Sequence, residues 1–196
     1  MCHPYKVMRK FYLFFLLFFL SRSAFAAFNI ELFGNYTSNT DNVDNESYSK
    51  TYYGVYLGAS LDGKQALYFG QNLMMHTRSL KGSGASQAGT LSITELGPRF
   101  TIFMGESQSW ALSLAWHPYA KGERVRSGST EKISGWAYLV SFGYQIKLGR
   151  GFNLGANMSY HALSISKSTN FSNVESEVSH SYTNIIPMIT ISFRFR

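Results

Sequence analysis

Apolar and polar side chains alternate along eight stretches of this chain, at residues 28–38, 50–62, 65–78, 90–104, 108–119, 133–148, 152–166 and 181–196. A period of two puts successive side chains on opposite faces, so each stretch is predicted as a β-strand with one apolar face. In the sixth, Trp136, Tyr138, Val140, Phe142, Tyr144, Ile146 and Leu148 share one face, while Gly135, Ala137, Leu139, Ser141, Gly143, Gln145 and Lys147 share the other. Trp110, Leu112, Leu114 and Trp116 repeat the pattern against Ala111, Ser113, Ala115 and His117. So do Tyr53, Val55, Leu57, Ala59 and Leu61 against Tyr52, Gly54, Tyr56, Gly58 and Ser60. The faces built from large side chains carry no charge.

The connections alternate in length. Long ones fall near Asn39 to Ser49, Ser79 to Gly89, Ala120 to Lys132 and Lys167 to His180; short ones fall near Asp62-Gly63-Lys64, Gly105-Glu106-Ser107 and Gly149-Arg150-Gly151. An even number of antiparallel strands with unequal ends is the pattern of a transmembrane barrel, where Arg or Lys facing lipid at mid-depth costs roughly 2–4 kcal/mol. The fold predicted is therefore all-β: an eight-stranded antiparallel up-and-down transmembrane β-barrel with short periplasmic turns and long extracellular loops. Trp136 to Leu148 spans roughly 30 Å of height at about 3.3 Å per residue and a tilt near 40°, enough to cross the apolar band. Tyr36, Tyr53, Trp116, Trp136 and Tyr160 belong toward its outer boundary, and Phe28, Phe69, Trp110, Phe152 and Phe195 toward the periplasmic one.

Two features strain the pattern. Pro98, Pro118 and Pro187 lie inside or at the ends of strands, and a closed sheet has no edge on which to place them, so bulges or local breaks are expected there. In the fourth stretch, Leu91 and Ile93 have the opposite parity to Leu96, Phe100 and Ile102, which calls for a bulge or for an upper part standing clear of the membrane.

Residues 1–26 have the three regions of a secretory signal peptide: basic Lys6, Arg9 and Lys10, an apolar run from Phe11 to Leu20, and Ala24-Phe25-Ala26 before the cut. Met8 is an alternative start. Removing this segment takes four of the 18 basic residues and none of the 11 acidic ones, so the formal charge falls from +7 to +3. Only scattered charges and a loop cluster at Lys121, Arg124 and Arg126 remain, which gives no basic stripe for nucleic acid. The single cysteine, Cys2, falls in the signal, so the exported domain, residues 27–196, is held together without disulfides.

Inward positions collect Glu31, Glu95, Arg99, Gln145, Lys147 and Arg194. The interior of an eight-stranded barrel is just wide enough for side chains to fill, and an unpaired buried ion costs several kcal/mol. Glu31 and Arg194 lie on strands that must adjoin if the ring closes, and are expected to pair. Glu95, Arg99 and Lys147 join this charge network, which makes a plugged core rather than a gated pore. His161, Ser164 and Glu175 or Glu177 form the best local catalytic set, as base, nucleophile and orienting carboxylate. Their spacing puts His161 and Ser164 on opposite faces of a strand, so no enzymatic activity is expected. His76 and His117 lie on other strands without metal-ligand spacing, and neither a metal nor a cofactor is expected. The loop from Asn39 to Glu46 is acidic but lacks the glycine and terminal glutamate of a calcium loop.

With these strands in place the chain resembles the small eight-stranded outer-membrane barrels, the family of the OmpA transmembrane domain and OmpX. The last stretch, Ile189-Thr190-Ile191-Ser192-Phe193-Arg194-Phe195-Arg196, is similar to the C-terminal signal read by the barrel-assembly machinery, although Arg196 follows the aromatic residue. The resemblance implies an outer-membrane location, surroundings of membrane lipid and lipopolysaccharide, the assembly machinery as a partner during biogenesis, and an extracellular ligand at the loops. Some outer-membrane barrels modify lipid A; the deacylases among them carry His-x-Ser, where this chain has His161-Ala162-Leu163-Ser164. The leading expectation is a structural or surface-interaction barrel. The alternatives are a lipid A acyl hydrolase or transferase, a small pore, and a soluble periplasmic barrel of lipocalin type, whose inward face should be apolar.

Overall fold

The computed structural model describes residues 27–41, 46–81, 89–126, 129–169 and 174–195. The expected signal segment, residues 1–26, and the centre of the acidic loop lie outside the described residues. Eight strands follow one another: β1 (Phe28–Asp41), β2 (Glu46–Ser60), β3 (Leu67–Lys81), β4 (Gly89–Met104), β5 (Trp110–Arg126), β6 (Ser129–Lys147), β7 (Phe152–Thr169) and β8 (Glu175–Phe195). Each pairs antiparallel with the next, and β1 pairs with β8, so the sheet closes into a ring. The fold is an all-β, up-and-down, eight-stranded barrel.

Alternation decides which surface is which. Leu57, Leu114, Ile146, Met158 and Ile189 point outward and are 54 to 65 % exposed, whereas Tyr56, Tyr68, Met74, Leu163 and Ile165 point inward and are fully buried. The lumen is thus filled by side chains. Aromatic residues lie level with one another across the ladders: Trp116 pairs with Tyr138, while Trp110 pairs with Tyr144 and Phe28 with Phe195 at the other end.

The strands run further than the alternation of apolar residues indicates. The tips of β5–β6 and β7–β8 are polar on both faces, yet they continue the ladder to Arg126↔Ser129 and Thr169↔Glu175. Cross-strand ion pairs, Arg124 with Glu131 and Lys167 with Glu175, replace apolar packing there. Most of what read as long loop is therefore strand.

At the opposite end the turns are tight. Asp62 holds the β2–β3 turn by accepting from the backbone amides of Ala66 and Leu67, both at 2.9 Å. Gly105 and Gly151 take φ of +82° and +81° in the other two turns, a region open to glycine without steric cost.

The proline strain resolves at three places. β5 carries one extra residue between His117 and Ala120, so Pro118 and Tyr119 both point outward in a bulge. Gly97 lies opposite, where any Cβ would collide with the Trp116 carbonyl. Pro98 pairs with Gln71 on β3 and faces this bulge on its other side. Pro187 pairs with Met158 on β7 and lies above the last β1–β8 pair, Gly34↔Ile189, so it has no ladder bond to lose on that side. The change of apolar parity in β4 reflects no bulge in β4 itself: Leu91, Ile93, Glu95, Arg99, Thr101 and Phe103 are all buried inward, and the register shift beside Leu96 and Arg99 belongs to the extra residue of β5. Leu91 and Ile93 instead pack with Ala120, Ile133, Ala137, Leu163 and Ile165 in an apolar upper chamber.

Candidate functional site

The polar residues of the lumen form two linked clusters at mid-height. β1 and β4 place Glu31 and Arg99 across the lumen, where Arg99 Nη2 donates to Glu31 Oε1 at 2.7 Å and to Ser113 Oγ at 2.9 Å. Ser113 is also within 3.1 Å of Thr101 Oγ1. The guanidinium lies 4.6 Å from the centre of the Tyr56 ring, which closes its other face.

Above it stands a second carboxylate, Glu95 on β4, surrounded by three imidazoles from three strands. His76 Nε2 (β3) lies 3.1 Å and His161 Nε2 (β7) 3.0 Å from Oε1, and His117 Nδ1 (β5) lies 2.8 Å from Oε2. Glu95, His117 and His161 are fully buried and His76 nearly so. The β5 bulge matters here, because it lets His117 and Ala120 both point inward although they are an odd number of residues apart.

Asn72 joins the clusters and fixes a tautomer. Arg99 Nη1 donates to Asn72 Oδ1 at 3.4 Å, which leaves Asn72 Nδ2 to donate to His117 Nε2 at 2.9 Å. His117 therefore carries its proton on Nδ1 and donates it to Glu95. A continuous chain runs from Glu31 through Arg99, Asn72 and His117 to Glu95. Tyr52 stacks on His76 with ring centres 5.2 Å apart and meets His161 edge-on at 5.9 Å. His161 Nδ1 is buried without a hydrogen-bond partner among the described residues.

Several sequence expectations change. Arg194 does not pair with Glu31: it lies in register with Asn29, two residues lower, where it donates to Gln145 Oε1 at 2.8 Å and stands over the Phe103 ring. Lys147 is exposed beside the β6–β7 turn and belongs to no interior network. Glu95 and Arg99 share a face but are linked only through Asn72 and His117. The set His161, Ser164 and Glu175 is not assembled, because Ser164 pairs with outward Trp136 while His161 points into the lumen and Glu175 is taken by Lys167 at the rim.

His76 and His117 are not scattered, contrary to the reading from spacing. Both have inward parity, and the ladders Met74↔Glu95, Glu95↔Ala120 and Leu139↔His161 bring them level with Glu95 and His161. Parity was the available signal; level could be had only by counting register around the ring.

At the mouth, Arg78 lies over the rings of Tyr48 and Tyr182, and Lys50 donates to Asn184. A recess of about 210 Å³ beside them is lined by Arg78, Leu91, Arg124, Arg126 and Tyr182, among others.

No family model matches this chain, and no curated protein does either. Among solved structures the chain is similar to the β domain of the Bordetella autotransporter Brka, at 11% sequence identity and a TM-score of 0.36, with 87% of this chain and 99% of that chain covered.

Proposed function

We propose that this chain is an integral outer-membrane β-barrel, exported by a cleaved signal, with a structural or surface-interaction role and no enzymatic activity. One observation carries this reading: the outward face of the closed ring is apolar and aromatic, while the lumen holds the ionised groups. A soluble barrel would bury its large apolar side chains and rarely leaves a contiguous apolar patch of more than a few hundred Å² exposed. In a bilayer the same surface meets lipid, and the pairing of β1 with β8 from Phe28↔Phe195 to Gly34↔Ile189 satisfies the backbone where the ring closes.

The filled lumen supports a plug rather than a pore. Interaction then falls to the strand extensions and connections at the charged end. The lipid A-modifying alternative lacks support in the placement of His161, Ser164 and Glu175.

Membrane fractionation with gel mobility tests the reading. The protein is expected in the outer-membrane fraction, with faster migration before heating than after, and without channel activity in planar bilayers. Recovery from the soluble periplasm would overturn it, and altered lipid A acyl chains in a deletion strain would restore the enzyme.

A further inference from the structure

We propose that the barrel interior binds a divalent transition-metal ion of the zinc type, held by His76 Nε2, His161 Nε2 and Glu95 Oε1. These three donors all lie within 4.8 Å of one another, from strands β3, β7 and β4. The two imidazole nitrogens stand 3.1 and 3.0 Å from the carboxylate oxygen. Tetrahedral zinc with bonds near 2.0–2.1 Å places its ligands about 3.3 Å apart, so small side-chain rotations admit the ion.

Charge points the same way. Glu95 is fully buried, where an added cation stabilises a carboxylate more than it would in water. Arg99 is committed to Glu31, and Arg194 is held near the turns by Gln145 and Gln108. Among the described residues no lysine or arginine forms an ion pair with Glu95. An ion on the imidazole side would supply that charge.

The surroundings fit a built site. His117 donates from Nδ1 to the second oxygen of Glu95, its tautomer fixed by Asn72, which is how outer partners orient a metal-binding carboxylate. Its Nδ1 proton makes His117 a positioning residue and not a ligand. Tyr52 holds both ligand rings by stacking and edge contact. Met74 and Leu139, which pair in register with Glu95 and His161, are buried and keep the site dry. Two histidines and one carboxylate leave a coordination position free, but the site is enclosed. The ion's role is therefore to clamp three strands across the lumen, so that binding adds to folding stability.

The test uses protein extracted from membranes without a polyhistidine tag. It is assayed for metal as isolated, then refolded into detergent with a chelator and titrated with cobalt(II). A stoichiometric metal content, or a visible absorption band of four-coordinate cobalt that saturates at one equivalent, is expected for the wild type and for His180→Gln, whose residue is exposed. His76→Gln and His161→Gln are expected to weaken cobalt binding by at least about tenfold, the lower range for loss of even an outer partner. Wild-type protein that is metal-free as isolated and gives no cobalt band overturns the proposal, and so does equal binding by the folded His76→Gln and His161→Gln variants. If these variants fail to fold, the wild-type titration decides alone.

Discussion

Arg99 and Glu31 meet across the lumen at 2.7 Å from strands that share no ladder, so their pair ties opposite walls of the barrel together. Both side chains are almost fully buried. Removing one partner leaves the other charge stranded, which costs about 3–5 kcal/mol. Arg99→Met is expected to lower the urea midpoint of the barrel in detergent by a corresponding amount, and the double variant Arg99→Met with Glu31→Leu to regain most of it. Arg194→Ala, which gives up bonds to neutral amides, should lose only about 1–3 kcal/mol.

Leu114 faces outward between Trp110 and Trp116 on β5 and is 57 % exposed. On a water-soluble barrel Leu114→Arg would change stability by no more than about 0.5 kcal/mol. Facing lipid it costs roughly 2–4 kcal/mol, which folding titrations in phospholipid vesicles would resolve. A near-zero cost in vesicles would remove the membrane reading.

Orientation is separately open to measurement. Glu123 on the β5 extension and Lys64 in the β2–β3 turn are both exposed, at opposite ends. With Cys2 in the expected signal, cysteines placed at these positions would be the only thiols of the mature chain. Glu123→Cys should react with a membrane-impermeant maleimide on intact cells, and Lys64→Cys only after the outer membrane is permeabilised. The reverse pattern would invert the barrel.

The β5–β6 tip stands beyond the apolar band, and its pH response follows from one pair. The hydrogen bond from Arg124 holds the Glu131 carboxyl below the usual carboxylate range. A group whose folded value is depressed stabilises above its unfolded value and loses that stability as pH falls through the folded one. Amide-exchange protection of this hairpin is expected to decline progressively below about pH 4.5, by an amount worth no more than about 1 kcal/mol because the pair is a third exposed. Glu131→Gln should flatten the profile.

The barrel was legible because a closed ring with an apolar outer face keeps one parity apolar along its strands, and Trp136 to Leu148 does so without interruption. The strand extensions were not, because in water both faces of the β5–β6 tip are polar and period two leaves no trace. Proximity in the ring suggested Arg194 as the partner of Glu31, but the ladder sets Arg194 opposite Asn29, and the long Arg99 side chain reaches Glu31 from across the lumen. The histidine cluster depends on four registers and on the Pro118 bulge together, so no local spacing could reveal it.

The pairing of β1 with β8 covers seven register positions, from Phe28↔Phe195 to Gly34↔Ile189, while β1 and β2 pair over fourteen. This short joint unites the first and last strands, whereas every other joint closes a local hairpin. Loop-closure entropy makes it the last to form, and its shortness makes it the first to part. The barrel therefore behaves as a ribbon with a clasp: the ribbon can assemble hairpin by hairpin, and the lifetime of the closed state is set at the clasp.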